Sequence, residues 1–298
     1  MTLKPTTLKG AFLLLSVSAI LASGCSNDTP QDGDDLPPVD STQTTILNVN
    51  GEIFSIPSPI QTAFLIKNSG ASYSKEILNA SSKSSQYSTN FSKALNLGIY
   101  GADLGYVTIY DQTQDAIGYL NSAKKLADEL GVSGAFDMNT LERFQKNLGN
   151  KDSMLVLVGV AYRSSDSYLK NNDRSDVSGL VLAGGWIESL YFATNVYKTK
   201  PSEDVKHRIA EQKSSLQSLI KLLTPFYSQP EYTEFIDNLN DLSTVFDGVE
   251  FQYKYEKPTT DAEKKVTTIN SKTDVKITPE QIESISQKIK NIRSQVVG

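Results

Sequence analysis

Hydrophobic positions recur along most of this chain at spacings of three and four, the period that lines side chains along one face of a helix. Tyr232, Phe235, Ile236, Leu239, Leu242 and Phe246 form one stripe, and Val205, Ile209, Leu216, Leu219, Ile220 and Leu223 form another. Ile282, Ile285, Ile289, Ile292 and Val296 make a third, behind Thr278-Pro279-Glu280-Gln281, where threonine and glutamine compose a capping box and proline takes the first helical position. Similar punctuation predicts a helix opening at Ser58-Pro59-Ile60-Gln61 and stopped by Gly70. Others open at Asp111 with Gln114, ended by Gly131, and at Asp137, with Leu141, Phe144 and Leu148 on one face before Gly149. Further starts are Pro201 with Glu203 and Asp204, and Ser228 with Glu231. The continuous apolar run from Met154 to Tyr162 fits a buried strand or a helix; no turn separates it from Arg163 to Lys170, which favours helix.

Extended runs are few. Thr44 to Ile56 surrounds Asn50-Gly51, a pair that tolerates positive φ and favours a tight hairpin. Val266 to Ile269 and Val275 to Ile277 flank Asn270 to Thr273 and suggest two short strands. Leu97-Gly98 and Leu104-Gly105 resemble the Leu-Gly pair of tetratricopeptide repeats, but the positions downstream do not follow, so a repeat array is a weak alternative. The expected fold is all-α: a single bundle of about eight helices over residues 44–298, with minor β elements near 44–56 and 264–278.

The N-terminus reads as an address. Lys4 and Lys9 precede an apolar stretch from Ala11 to Leu21 that is too short to span a bilayer, as in an export signal. It ends in Leu21-Ala22-Ser23-Gly24-Cys25, which resembles the lipobox of bacterial lipoproteins, with Ala22 where that family more often has leucine. The resemblance implies removal of residues 1–24, lipid on Cys25, and anchorage in a membrane. Residues 25–43 then form a tether, unable to fold alone, in which Ser26 to Asp40 holds five aspartates, three prolines and no basic residue. A solvated spacer is the plainer reading of that composition. An acidic stretch after the lipidated cysteine is also similar to the surface-export signal of Bacteroidota lipoproteins, and Ser26 resembles the outer-membrane type of sorting residue. The implied location is the outer membrane of the cell envelope, with the periplasmic or surface face left open.

Composition removes much familiar chemistry. One cysteine and one histidine exclude a disulfide framework, cysteine clusters and paired-histidine metal sites. The 29 basic against 34 acidic residues give no footprint for nucleic acid, and loss of Lys4 and Lys9 takes the formal charge from −5 to −7. No metal site and no cofactor are expected. Leu182-Ala183-Gly184-Gly185-Trp186 lacks the lysine of a phosphate loop, and Asn171 to Asp176 lacks the spacing and closing glutamate of a calcium loop. His207 lies between Glu203 and Glu211 on a polar face, where solvent is the expected neighbour.

Candidate chemistry collects around small residues. Ala94, Gly98, Gly101, Ala102 and Gly105 share a helical stripe despite a propensity cost of up to about 1 kcal/mol for each glycine. Close approach of another helix is the favoured explanation, with Gly179, Ala183, Gly184 and Gly185 as the partner cluster. The alternative is room for a ligand, lined by Tyr100, Tyr106 and Trp186, with Asp103 and Glu188 as acid and base. Against that stands pairing of the two carboxylates with Arg163, Arg174, tyrosines or helix ends. The stretch from Ser58 to Tyr197, above all Leu97 to Tyr106 and Val181 to Tyr191, resembles uncharacterised helical lipoproteins of Bacteroidota, a likeness that implies no activity. The expected function is a non-enzymatic envelope module, held to the membrane by lipid on Cys25 and binding or assembling with an envelope partner. A carboxylate-dependent hydrolase using Asp103 and Glu188 is the alternative.

Overall fold

The computed structural model describes residues 58–135, parts of 142–160, residues 174–298, and the backbone of a strand pair at 45–49 and 52–56. The chain is all-α, as its periodicity predicts. Its labelled helices are α1 (Pro59–Asn68), α2 (Asn90–Ile109), α3 (Thr113–Glu129), α4 (Ser175–Thr199), α5 (Glu203–Leu223), α6 (Pro230–Phe246) and α7 (Pro279–Val297). Between 142 and 160 the described stretches 142–144, 152–154, 156–157 and 159–160 are also helical, in keeping with the helical reading of the Met154 run. Asp137, Leu141, Leu148 and the segment from Arg163 to Lys170 lie outside the described residues.

Helix ends follow from local chemistry. The Thr278 and Gln281 side chains complete the capping box of α7, each bonding to the other's main-chain N–H. Ser202 accepts from the Val205 N–H and caps α5 one residue after Pro201, whereas α6 begins with Pro230 at its first turn and Gln229, not Ser228, before it. Asp111 is not the cap of α3. Its φ of 60° closes α2 instead, with the Gln112 N–H reaching back to the Val107 carbonyl, so α3 starts only at Thr113. A left-handed residue at a helix end is most often glycine, which is why the role was not visible in an aspartate. Thr89 and Ser92 form a further capping box, at the start of α2.

The predicted stripes are the core. All six residues of the α6 stripe are buried, as are Ile282, Ile285, Ile289 and Ile292 of α7. At the centre α2 and α4 run against each other over much of their length, with α1, α3, α5 and α7 packed around them and α6 bridging α5 and α7. A side chain on either central helix would prevent their approach: a Cβ added to Gly98 would lie 1.9 Å from the Val181 carbonyl oxygen, and one on Gly184 would lie 1.9 Å from that of Leu95. The two backbones are therefore in van der Waals contact, which repays the helix propensity lost to glycine. Gly105 makes room for Ile60 of α1, and Gly179 for Leu222 and Leu223 of α5. Gly101 is only partly buried.

Strands β1 (Thr45–Val49) and β2 (Glu52–Ile56) pair antiparallel with Val49 opposite Glu52, the register that a two-residue connection requires. The second β region is larger than expected and paired differently. β3 (Glu250–Lys254), β4 (Thr259–Asp261), β5 (Val266–Thr268) and β6 (Lys272–Lys276) form a ribbon in which β3 pairs with β6 and β4 with β5. Asn270 to Thr273 is thus no hairpin turn; the chain reverses between Asp261 and Val266, and both downstream strands find upstream partners. The alternation Phe251-Gln252-Tyr253-Lys254, apolar on one face and polar on the other, is the signal that the helical reading passed over.

Candidate functional site

Asp103 and Glu188 project from the two central helices, and the close backbone contact at Gly98 and Gly184 sets the helices near enough for the carboxyl groups to meet. Both residues are fully buried. Of the two arginines expected to balance their charge, Arg163 lies outside the described residues, and Arg174 donates to the Leu130 carbonyl and faces Asp176 instead. The last helix supplies Arg293, whose Nε and Nη2 donate to Glu188 Oε2 and Oε1 at 2.5 and 2.7 Å, a bidentate pair with the guanidinium also donating to the Ile77 carbonyl at 3.1 Å. The guanidinium lies 4.3 Å from the centroid of the Tyr191 ring, so one face of it is covered by an aromatic surface.

Burial raises both carboxyl groups above their ordinary values, but Arg293 bonds to Glu188 and so acts on the two unequally. Burial, reinforced by the negative charge of Glu188, pushes Asp103 well above the usual carboxylate range; Arg293 pulls the other way without reversing it. Burial also raises Glu188, but Arg293 opposes that directly through charge and hydrogen bonds. Neither Asp103 oxygen accepts a hydrogen bond among the described residues. An ionised carboxylate in that position would be uncompensated, whereas a protonated one carries no charge and has an O–H to offer the neighbouring Glu188. The arrangement that balances the cluster's charge is a neutral Asp103 beside the Glu188–Arg293 ion pair.

A polar network continues from this centre. The Asn79 amide donates to the Tyr87 hydroxyl and to Asn96 Oδ1, at 2.9 and 3.2 Å, and Asn96 donates to the Ser92 and Val296 carbonyls. Arg293 and Asn96 together therefore fasten the end of α7 to α2 and α4. The other proposed lining residues are also in the core: Tyr100 donates to the Ala80 carbonyl, Tyr106 accepts from the Ser74 N–H, and both rings are fully buried. The Tyr106 ring packs against Phe192 and Tyr110 with centroids 4.9 and 4.8 Å apart. Trp186 is 2% exposed, and its indole N–H has no partner among the described residues. No ring face of the three is open to a ligand.

Arg293 is the residue that sequence reasoning missed. Its signal was present, since it stands four residues beyond Ile289 and so on the buried flank of the α7 stripe, where a cation needs an anion. His207 is half-buried beside a shallow pocket of about 240 Å³, between Glu203, Asp204, Arg208 and Glu211. Among the described residues no group of histidine, cysteine and carboxylate side chains is placed to hold a metal, and no helix is long and apolar enough to cross a membrane. A larger open groove of about 510 Å³ lies elsewhere, between the start of α2, α6 and the end of α7, lined by Phe91, Phe235, Glu231 and Glu234 among others. No protein-family model matches the chain, and no curated protein or solved structure matches it significantly.

Proposed function

We propose that this chain is a lipid-anchored module of the bacterial cell envelope that acts by binding or assembly and not by catalysis. The carrying observation for the second half is the enclosure of Asp103 and Glu188: both are fully buried, one neutral and one committed to Arg293. A general acid and base must reach a substrate within hydrogen-bond distance, whereas among the described residues these two meet each other and the end of α7. Their work is to hold three helices in place. Support for the anchor is the signal that ends at Cys25, with the acidic tether behind it.

Anchorage is tested by Cys25→Ser, which should leave the precursor unprocessed, with fractionation of wild-type cells alongside. Normally processed protein released without detergent ends the lipoprotein reading. Changing Asp28, Asp32, Asp34 and Asp35 to asparagine addresses the leaflet: if the tether directs surface display, the protein moves out of reach of protease added to whole cells. Native mass spectrometry of the detergent-extracted protein then looks for retained ligand mass, which would mark a binding protein for a small molecule.

A further inference from the structure

The ribbon between α6 and α7 is unlike the rest of the molecule. Every residue of β3, β4 and β5 is exposed, and Phe251, Tyr253 and Tyr255 line one face of it, at 43, 66 and 70% exposure. A two-stranded ribbon with so little packing is marginal in water, and a third strand is the usual remedy. Among the described residues, β3 pairs only with β6, so its outer edge carries unpaired N–H and C=O groups. Edges of this kind are normally defended by charge.

Here the two edges differ. Suppose each pairs antiparallel with its own copy about a two-fold axis over its full five residues. On β6 that axis passes through Asp274, so Asp274 faces Asp274 and Lys272 faces Lys276: every charged contact is repulsive. On β3 the axis passes through Gln252, so Glu250 faces Lys254, Phe251 faces Tyr253, and Gln252 faces Gln252. Each charged contact is then attractive, and each apolar one joins two aromatic rings on the same face. We propose that the outer edge of β3 is a self-association surface, where a second copy of this chain adds its own β3 to form a continuous four-stranded antiparallel sheet across a two-fold axis. The exposed aromatic row of one ribbon then continues into that of the other. Within each copy the ion pair of Glu250 with Lys276 and that of Lys254 with Asp274 hold the ribbon in register for this pairing. The proposal goes beyond the anchored-module reading and uses none of its residues.

The test uses the full chain as the cell makes it, extracted in mild detergent, and follows its mass by sedimentation as concentration rises. Wild type should pass from monomer to dimer. Glu250→Lys and Lys254→Glu, each alone, set like charges opposite one another twice per dimer, and each should weaken self-association about tenfold. Mixed in equal amounts, the two variants face Lys with Glu at both positions, so the mixture should recover association that neither has alone. A variant whose ribbon had simply failed to form would recover nothing. Gln252→Cys sits on the axis, where Cα atoms of facing residues lie about 4.5 to 5.5 Å apart, and with a mild added oxidant it should form a disulfide to its own copy, mapped by peptide mass. A chain that stays monomeric at every concentration, including one that binds lipid vesicles through the ribbon, overturns the proposal. So does a dimer indifferent to both charge reversals, or a mixture that regains nothing.

Discussion

In the bundle centre Asp103, Glu188 and Arg293 are withdrawn from water and answer one another, and the helices that carry them touch through Gly98 and Gly184. In the ribbon, Glu250, Lys254, Asp274 and Lys276 also form ion pairs, yet their side chains are 49 to 68% exposed. The same residue chemistry thus does two kinds of work. Buried, a pair is costly to break because either survivor is left as an unsolvated charge; exposed, water replaces a lost partner at little cost. The difference teaches that charge in this protein specifies helix placement in the body and pairing register at the ribbon.

The sharpest break of that comparison is Glu188→Gln. It leaves Arg293 charged and without its anion in a site where the guanidinium's side chain is 11% exposed, and the expected loss is about 3 to 5 kcal/mol of unfolding free energy, measured by denaturant titration. The corresponding exposed change, Asp274→Asn, should leave the unfolding free energy nearly unchanged, because water takes the place of the lost partner. Equal losses at the two positions would erase the distinction. Next in size is Gly98→Ala. Alanine is the better helix former by about 1 kcal/mol, but its Cβ meets a backbone carbonyl that cannot rotate away, so α2 and α4 must separate and stability should fall by about 1 to 3 kcal/mol or more. Gly105→Ala is the control, because there the new Cβ meets the Ile60 side chain at 3.2 Å and no backbone atom closer than 4.0 Å. A Gly98→Ala protein as stable as wild type would refute backbone contact between the central helices.

Asp103→Asn separates the two buried carboxyls. The folded chain keeps Asp103 protonated above the pH at which the unfolded chain, with its ordinary value of 3.8, releases that proton. The folded state therefore binds more protons, and stability falls as pH rises from about 4 through the raised folded value, then levels where both states are ionised. Asparagine offers Glu188 an N–H donor in place of the carboxyl O–H and carries no proton to lose. The variant should lie within about 1 kcal/mol of wild type near pH 4 and should lack that part of the decline. A loss as large as that for Glu188→Gln would mean that Asp103 is ionised and paired. As a further reading, catalytic turnover found in wild type and lost in a stably folded Asp103→Asn protein would restore the hydrolase alternative.

Much of the body was legible because its driving force is periodic. The stripes of α5, α6 and α7 declare their buried faces, and the two glycine clusters point to each other as surfaces small enough to touch. The centre was half legible. Two carboxylates on long apolar helices signal a buried charge in need of a partner, but the partner is 105 residues from Glu188, and no local pattern encodes which of several arginines folds back to it. Asp111 was misread because a left-handed backbone in a non-glycine residue leaves no compositional trace. The ribbon was read short for another reason: β3 alternates over only five residues, and its pairing with β6 is a long-range choice that strand propensity does not make.

The smallest effect is expected where the comparison predicts almost none. Tyr255 is the most exposed aromatic of the ribbon, and its ring rests on neither the α2–α4 centre nor the α6–α7 stripes. Replacing it with serine removes little buried apolar area, so the unfolding free energy of the body should change by no more than about 0.5 kcal/mol, measured at a concentration low enough to keep the chain monomeric. What should change is local. Amide hydrogens of β3 and β4 open through ribbon fraying and not through global unfolding, and their exchange should quicken in Tyr255→Ser while those of α2 and α4 keep their wild-type rates. If instead α2 and α4 lose protection together with the ribbon, then ribbon and bundle fold as one unit, and the division of labour between buried and exposed charge has no structural boundary to rest on.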